Sequence, residues 1–301
     1  MRHLFFSILL LACTSKDSTD GSGDSASVID WGYHQSTSTG WPSIATGFDH
    51  TCAIDADGLL DCWGKAGEDE REDPLSPPEG QFLELDAGMA FACALSLDQK
   101  VQCWGDTTFG KTSAPPGTQF DQVATGYGHT CGIQTDKAID CWGWGGYDAT
   151  IPPVGSFVQI SGGYHFMCAM DDTGTPFCWG LDFADQSSPP TGPFTTLSTA
   201  SDNACALDDE GLTQCWGDNL FGQSDPPETA LIQIHGGARH HCGLNTEGQA
   251  HCWGDNSYGQ ISAPTANFTQ IRAGGGHSCA LDEDGRIHCW GWNAEGQASP
   301  P

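Results

Sequence analysis

Fourteen cysteines stand in seven pairs, each pair enclosing nine residues and each ending against a Trp-Gly dipeptide. The pairs are Cys52/Cys62, Cys93/Cys103, Cys131/Cys141, Cys168/Cys178, Cys205/Cys215, Cys242/Cys252 and Cys279/Cys289. Their first members lie 41, 38, 37, 37, 37 and 37 residues apart. A fixed period in this range marks a repeat architecture, in which each unit is one small motif that buries its apolar surface against its neighbours. That period constrains the fold more than any local propensity in the chain.

One unit can be read physically. If Cys52 faces Cys62, the hairpin loop is Ala56-Asp57-Gly58, a type I turn closed by a left-handed residue that glycine adopts freely. Glycine recurs there as Gly174, Gly211, Gly248 and Gly285, while Gln99 and Lys137 depart and are expected to strain or reshape their turns. Counting back from the loop puts the cysteines on a non-hydrogen-bonded pair, where strands approach closely enough for a disulfide. A further strand precedes each pair, as in Phe120/Val123/Gly126 and Phe268/Ile271/Gly274, and Gly-Gln and proline punctuation follows, as in Gly222-Gln223 and Pro226-Pro227. Three or four short antiparallel strands with apolar residues on both faces must be covered by neighbours on both sides. The expected fold is therefore all-β, a seven-bladed β-propeller with one disulfide-stapled hairpin per blade, over residues 41–301. An open solenoid would need distinct polar caps, and the last unit, 268–301, looks as complete as the interior ones.

The fifteenth cysteine, Cys13, follows a basic start and the apolar run Leu4 to Leu11. Residues 1–12 read as a lipoprotein signal peptide, since Leu10-Leu11-Ala12-Cys13 resembles a bacterial lipobox with Cys13 as the lipidated residue. Residues 13–40 then carry the lipid and a flexible tether, within which Val28 to Gly32 looks like an orphan strand. An exported, lipid-anchored protein on a bacterial membrane, outer membrane or cell surface, meets an oxidising environment that favours disulfides over metal ligation. With 10 basic against 39 acidic residues, a net charge of −29, the chain repels phosphate backbones, which excludes nucleic acid as a partner class.

The string Gly274-Gly275-Gly276-His277-Ser278-Cys279-Ala280-Leu281, continued by Trp290-Gly291-Trp292-Asn293 and Gly296-Gln297, resembles the regulator-of-chromosome-condensation repeat. The short period and the Gly-Gln tail look most like the bacterial branch that contains the propeller-type β-lactamase inhibitory protein. The resemblance spans about residues 42–301 and implies seven-bladed propellers that act by protein–protein contact through loops on one face. Cysteines here occupy strand positions that the family usually fills with aliphatic residues.

Candidate sites follow from the variable loop positions of a regular scaffold. Tyr127, Tyr164, His165, Phe166, Arg239 and His240 precede the hairpins, and Trp144 and Trp292 follow Trp-Gly dipeptides outside the consensus. Aromatic and arginine residues dominate interface energetics, so these are the expected partner contacts. The histidines His50, His129, His240 and His277 recur at equivalent positions around the ring, too far apart to converge on one metal, and are expected to pack and bond a neighbouring loop. Acidic turns such as Asp282-Glu283-Asp284-Gly285 lack the rest of a calcium loop and read as hairpin tips. An acidic insertion, Glu68 to Asp73, reads as a solvated loop. No nucleophile motif, paired metal histidines or phosphate loop is present, so neither catalysis nor a cofactor or metal is expected. The expected function is a monomeric, surface-anchored, non-enzymatic propeller that binds a protein, with membrane contact through the lipid alone. The alternatives are a carbohydrate-binding surface module and an enzyme inhibitor of the β-lactamase-inhibitory type.

Overall fold

A computed structural model describes residues 34–35, 43–67 and 72–301. The leader, Cys13, the strand-like stretch 28–32 and most of the acidic insertion lie outside the described residues. The described part is built from seven antiparallel sheets, one per repeat. Blade 1 shows the plan: inner strand Ser43–Thr46, middle strand His50–Ile54 and outer strand Leu60–Gly64. Blades 2 to 7 repeat it over residues 82–105, 120–143, 159–180, 196–217, 233–254 and 268–291.

Middle strands such as HTCAI, FMCAM and HHCGL are buried at every position because each is covered by a different blade on each face. Blade 4 contributes Phe166, Cys168 and Met170 to one such seam, and blade 5 contributes Ala204 and Ala206.

The expected disulfides form in every blade: Cys52–Cys62, Cys93–Cys103, Cys131–Cys141, Cys168–Cys178, Cys205–Cys215, Cys242–Cys252 and Cys279–Cys289. Each pair is in direct register across middle and outer strands, with Cα atoms 4.0–4.1 Å apart, the narrow spacing of a non-hydrogen-bonded pair. The two members of a pair differ in environment. The first lies on a middle strand and is fully buried in all seven blades. The second lies on an outer strand, and Cys62, Cys103, Cys141, Cys178, Cys215 and Cys252 are only half-buried. An outer strand has a blade neighbour on one edge alone, so its cysteine keeps some contact with solvent. Cys289 is the exception and is buried, because blade 7 carries a further strand beyond it.

The hairpin tips obey one geometry. Gly58 sits at φ +82°, and Gln99 and Lys137 take the same left-handed conformation at 62° and 74°. Those two turns keep the common shape, so two L-residues occupy a conformation that disfavours them. The recurrent aspartates are turn chemistry: Asp55 Oδ1 accepts from the Asp57 and Leu59 amides at 2.9 and 2.8 Å, and Asp208 and Asp282 repeat the pattern.

Seven inner strands surround the axis, and polar side chains lace them together. Gln122 Oε1 accepts from the Ile160 amide at 2.8 Å, Gln159 from Leu197 at 3.0 Å and Gln233 from Ile271 at 2.8 Å. Gln270 accepts from Ile44 at 2.9 Å, which joins blade 7 to blade 1 and closes the ring. The apolar seam is continuous there too, with Ile44 and Ala53 packed on Leu281 and Ile287. A two-residue strand, His34–Gln35, adds the fourth strand to blade 7, His34 opposite Cys289 and Gln35 opposite His288. It falls inside the stretch read as tether. No helix among the described residues is long and apolar enough to cross a membrane.

Candidate functional site: the corner-loop face

The corners between inner and middle strands collect on one face and ring the mouth of an axial cavity of about 110 Å³. Backbone bonds run from corner to corner: Phe48 N to Gly88 O at 3.2 Å, Tyr164 N to Ser201 O at 2.8 Å, Ser201 N to Gly237 O at 3.1 Å, Ala238 N to Gly274 O at 2.9 Å and Gly275 N to Gly47 O at 3.1 Å. Such close approach needs glycine, since a Cβ on Gly237 would lie 2.3 Å from the Gly274 carbonyl oxygen. The rim is therefore rigid, and the side chains of Phe48, Met89, Tyr127 and Tyr164 stand on it.

A second tier comes from the loops that follow each Trp-Gly. The indole Nε1 of Trp253 donates to Gln223 O at 2.9 Å and that of Trp290 to Gln260 O at 2.8 Å, so each tryptophan holds the preceding blade's loop. The loop glutamine turns inward, buried, and its Oε1 accepts from the amide two residues back: Gln223 from Phe221 at 2.8 Å, Gln260 from Tyr258 at 2.9 Å. That bond turns the residue two before the glutamine outward. Phe221 and Tyr258 are 41% and 40% exposed, and the equivalent Phe109 and Tyr147 are 63% and 51% exposed; Phe183, one position earlier in its loop, is 83% exposed. Phe109 and Tyr147 also hold φ of 65° and 58°, a region that bulky side chains enter rarely and that clusters at functional sites.

Over blades 2 to 4 the two tiers merge into one aromatic arc. Tyr127 lies 4.3 Å from Tyr164 between ring centroids, Tyr164 4.0 Å from His165, and His165 4.2 Å from Trp144. Trp144 continues to Tyr147 at 5.6 Å and to Phe109 at 6.5 Å, and Tyr147 to Phe183 at 5.6 Å. Burial and the hydrogen-bonded Tyr127 hydroxyl, aided by Asp202 and Tyr147, raise the Tyr164 hydroxyl pKa. Burial lowers that of His165, leaving it neutral at neutral pH.

Of the residues expected to contact a partner, Tyr127, Tyr164, His165 and Trp144 come together in this arc. Arg239 is exposed further round the ring, its guanidinium 4.7 Å from the Phe221 ring centre, and Trp292 stacks on Tyr258 at 5.7 Å. Phe166 and His240 are corrected: both are fully buried in the seams, because each is the first residue of a middle strand rather than the last of a corner. The disulfides belong to the scaffold. Neither the buried first members nor the half-buried Cys103, Cys141, Cys178, Cys215 and Cys252 line the axial cavity. Sequence reading missed Phe109, Tyr147, Phe183, Phe221 and Tyr258. A signal existed for Phe221 and Tyr258, each of which immediately precedes a Gly-Gln dipeptide; the loops of Phe109, Tyr147 and Phe183 lack that dipeptide.

The ring histidines are structural. His277 Nε2 lies 2.8 Å from Thr51 Oγ1, and His240 Nε2 lies 2.9 Å from Ser278 Oγ, each bond crossing to the next blade. Burial lowers the pKa of His50, His129 and His240 to about 4, and that of His241 and His277 to about 3. No cluster of three or more metal-ligating side chains occurs among the described residues. Along the axis, burial lifts Glu84 to about 7 and raises Asp86 against the opposing pull of Thr125 and Arg272.

These features define a seven-bladed propeller with a corner-loop face of rigid glycine turns and projecting rings. Three stretches, residues 43–68, 232–260 and 268–297, match the regulator of chromosome condensation (RCC1) repeat, and they correspond to blades 1, 6 and 7. The fold is similar to the entire ectodomain of the Physcomitrella patens receptor kinase CR4, with 23% identity over 84% of this chain and 74% of that one and a TM-score of 0.72. It is similar to the CRINKLY WD40 ectodomain of the Arabidopsis thaliana receptor kinase ACR4, with 25% identity, 84% and 98% coverage and a TM-score of 0.69. Prp20p from Saccharomyces cerevisiae, whose binding properties to Gsp1p and histones accompany its structure, gives 15% identity, 83% and 82% coverage and a TM-score of 0.64. No curated protein matches the chain in sequence.

Proposed function

We propose that this chain is an exported, non-enzymatic binding propeller that engages a protein partner through its corner-loop face. The aromatic arc from Tyr127 to Phe183 carries the reading. Seven stapled blades supply a rigid base, and exposed rings of low conformational entropy are the anchors protein interfaces favour. Binding of Prp20p to other proteins supports the same use of the fold. Seven disulfides fit an oxidising compartment, and a lipid on Cys13 would hold the propeller at a bacterial membrane surface.

Crosslinking pull-down from surface extracts tests the reading, with wild type compared against Tyr147→Ala/Phe183→Ala. A partner recovered by wild type and lost by the double variant is the expected result. Recovery that ignores both substitutions would overturn the use of this face. Metabolic labelling with an alkyne fatty acid tests the anchor, and label should disappear with Cys13→Ala.

A further inference from the structure

The corner-loop face shows within itself how it receives a cation. Arg239 lays its guanidinium over the Phe221 ring at 4.7 Å, and the charge of Asp202 interacts with it electrostatically. A guanidinium over a ring face is a favourable cation–π arrangement, and an acidic surround adds to it. Blades 3 and 4 present the same elements without the cation. Tyr147 and Phe183 meet edge-on at 5.6 Å, both largely exposed, and Asp148, Asp182 and Asp185 are exposed in the same two loops. Those loops, residues 144–155 and 181–192, contain no lysine or arginine. The backbone at Asp148 and Asp185 is left-handed, with φ of 60° and 61°.

We infer that the arc over blades 3 and 4 docks an arginine- or lysine-bearing segment of the protein partner. Its cation rests on the Tyr147 and Phe183 rings within reach of Asp148, Asp182 and Asp185. The charge of the whole chain, −29, steers such a segment toward the molecule, and the rings select where it lands. This inference rests on the corner-loop face being the binding face and adds the chemistry of what enters it.

The test selects binders from a displayed library of random twelve-residue peptides on the intact, disulfide-bonded protein. Selected peptides are resynthesised with citrulline in place of arginine. The inference expects basic peptides whose binding falls roughly tenfold with citrulline, with Tyr147→Ala/Phe183→Ala, and with Asp148→Asn/Asp182→Asn/Asp185→Asn. Asparagine tolerates the left-handed backbone at 148 and 185, and at 182 its Oδ1 can still accept from the Ser187 amide as Asp182 Oδ1 does at 2.8 Å, so the triple variant chiefly removes charge. Basic peptides that bind the ring variant as well as wild type would show unspecific attraction to an acidic surface and overturn the site. Neutral or acidic peptides lost with the ring variant would overturn the cationic occupant while leaving the docking face standing. Enrichment of no peptide would overturn the inference.

Discussion

Trp63 in the first blade donates its indole N–H to the carbonyl of Gln297, 234 residues later, at 3.0 Å. Thr51 Oγ1 donates to the same oxygen at 2.9 Å. One backbone carbonyl thus receives two donors from the opposite end of the described chain, and the contact repeats the bond every other blade but one makes to its predecessor. The exception is Trp142, whose Nε1 has no partner. Closure of the ring is therefore ordinary blade-to-blade chemistry applied between blades 7 and 1.

Trp290→Phe should cost more stability than Trp142→Phe. Both tryptophans are buried and both pack on a phenylalanine, at 6.2 and 5.7 Å, but only Trp290 loses a hydrogen bond. The difference should be about 1 kcal/mol in chemical denaturation. Equal losses would deny the bond a role in holding the blades.

Ala92→Ser should stabilise the protein. His50 Nε2 is buried without a partner, and the residue it would bond in the next blade is Ala92, where the His240 and His277 pairs offer Ser278 and Thr51. A serine hydroxyl there supplies the missing group, for a gain of about 1 kcal/mol. A neutral or destabilising result in a thermal melt would show that the seam has no room for it.

Replacing both Cys131 and Cys141 by alanine should lower stability by about 2–3 kcal/mol, the value expected for releasing a loop of about ten residues. Non-reducing peptide mapping of the wild type should return only pairs ten residues apart in sequence. A bridge between blades would contradict the register.

Stability should depend on pH in two opposed ways. Buried His50, His129, His240, His241 and His277 have folded pKa values below the usual 6.5, so their contribution is complete above 6.5 and is lost as pH falls toward about 4 and 3. Glu84 is raised from 4.5 to about 7, so its contribution is complete below 4.5 and is lost as pH rises through 7. Glu84→Gln should therefore stabilise the protein at pH 8 by at most about 3 kcal/mol, with a higher melting midpoint, and leave its stability unchanged at pH 4. The variant should also lose stability more steeply on acidification than wild type. Equal midpoints at pH 8 would place the Glu84 carboxyl in a far more polar setting.

Much of the blade was legible because its signals are local. Nine residues between cysteines, with glycine at the third loop position, leave one hairpin register, and the Cys52–Cys62 pairing follows from it. The candidate site was legible only in part. His165 and Phe166 are neighbours, as are Arg239 and His240, yet the first of each pair is accessible and the second buried. A strand covered on both faces shows no polar–apolar alternation to mark where it begins, so the boundary is lost by one residue. The projecting rings were hidden for another reason. Phe221 and Tyr258 look like ordinary linker residues until the buried glutamine two places on is seen to bond their amides.

The sequence by itself determined the number of blades, their hairpin register, the disulfide pairing and the acidic character, because each depends on spacing or composition within about forty residues. Tertiary structure alone decided which rings meet. Tyr127, Trp144, His165 and Phe183 come from four successive corners and loops, and only curvature around the axis brings side chains so far apart in sequence within 4 to 6 Å of their neighbours.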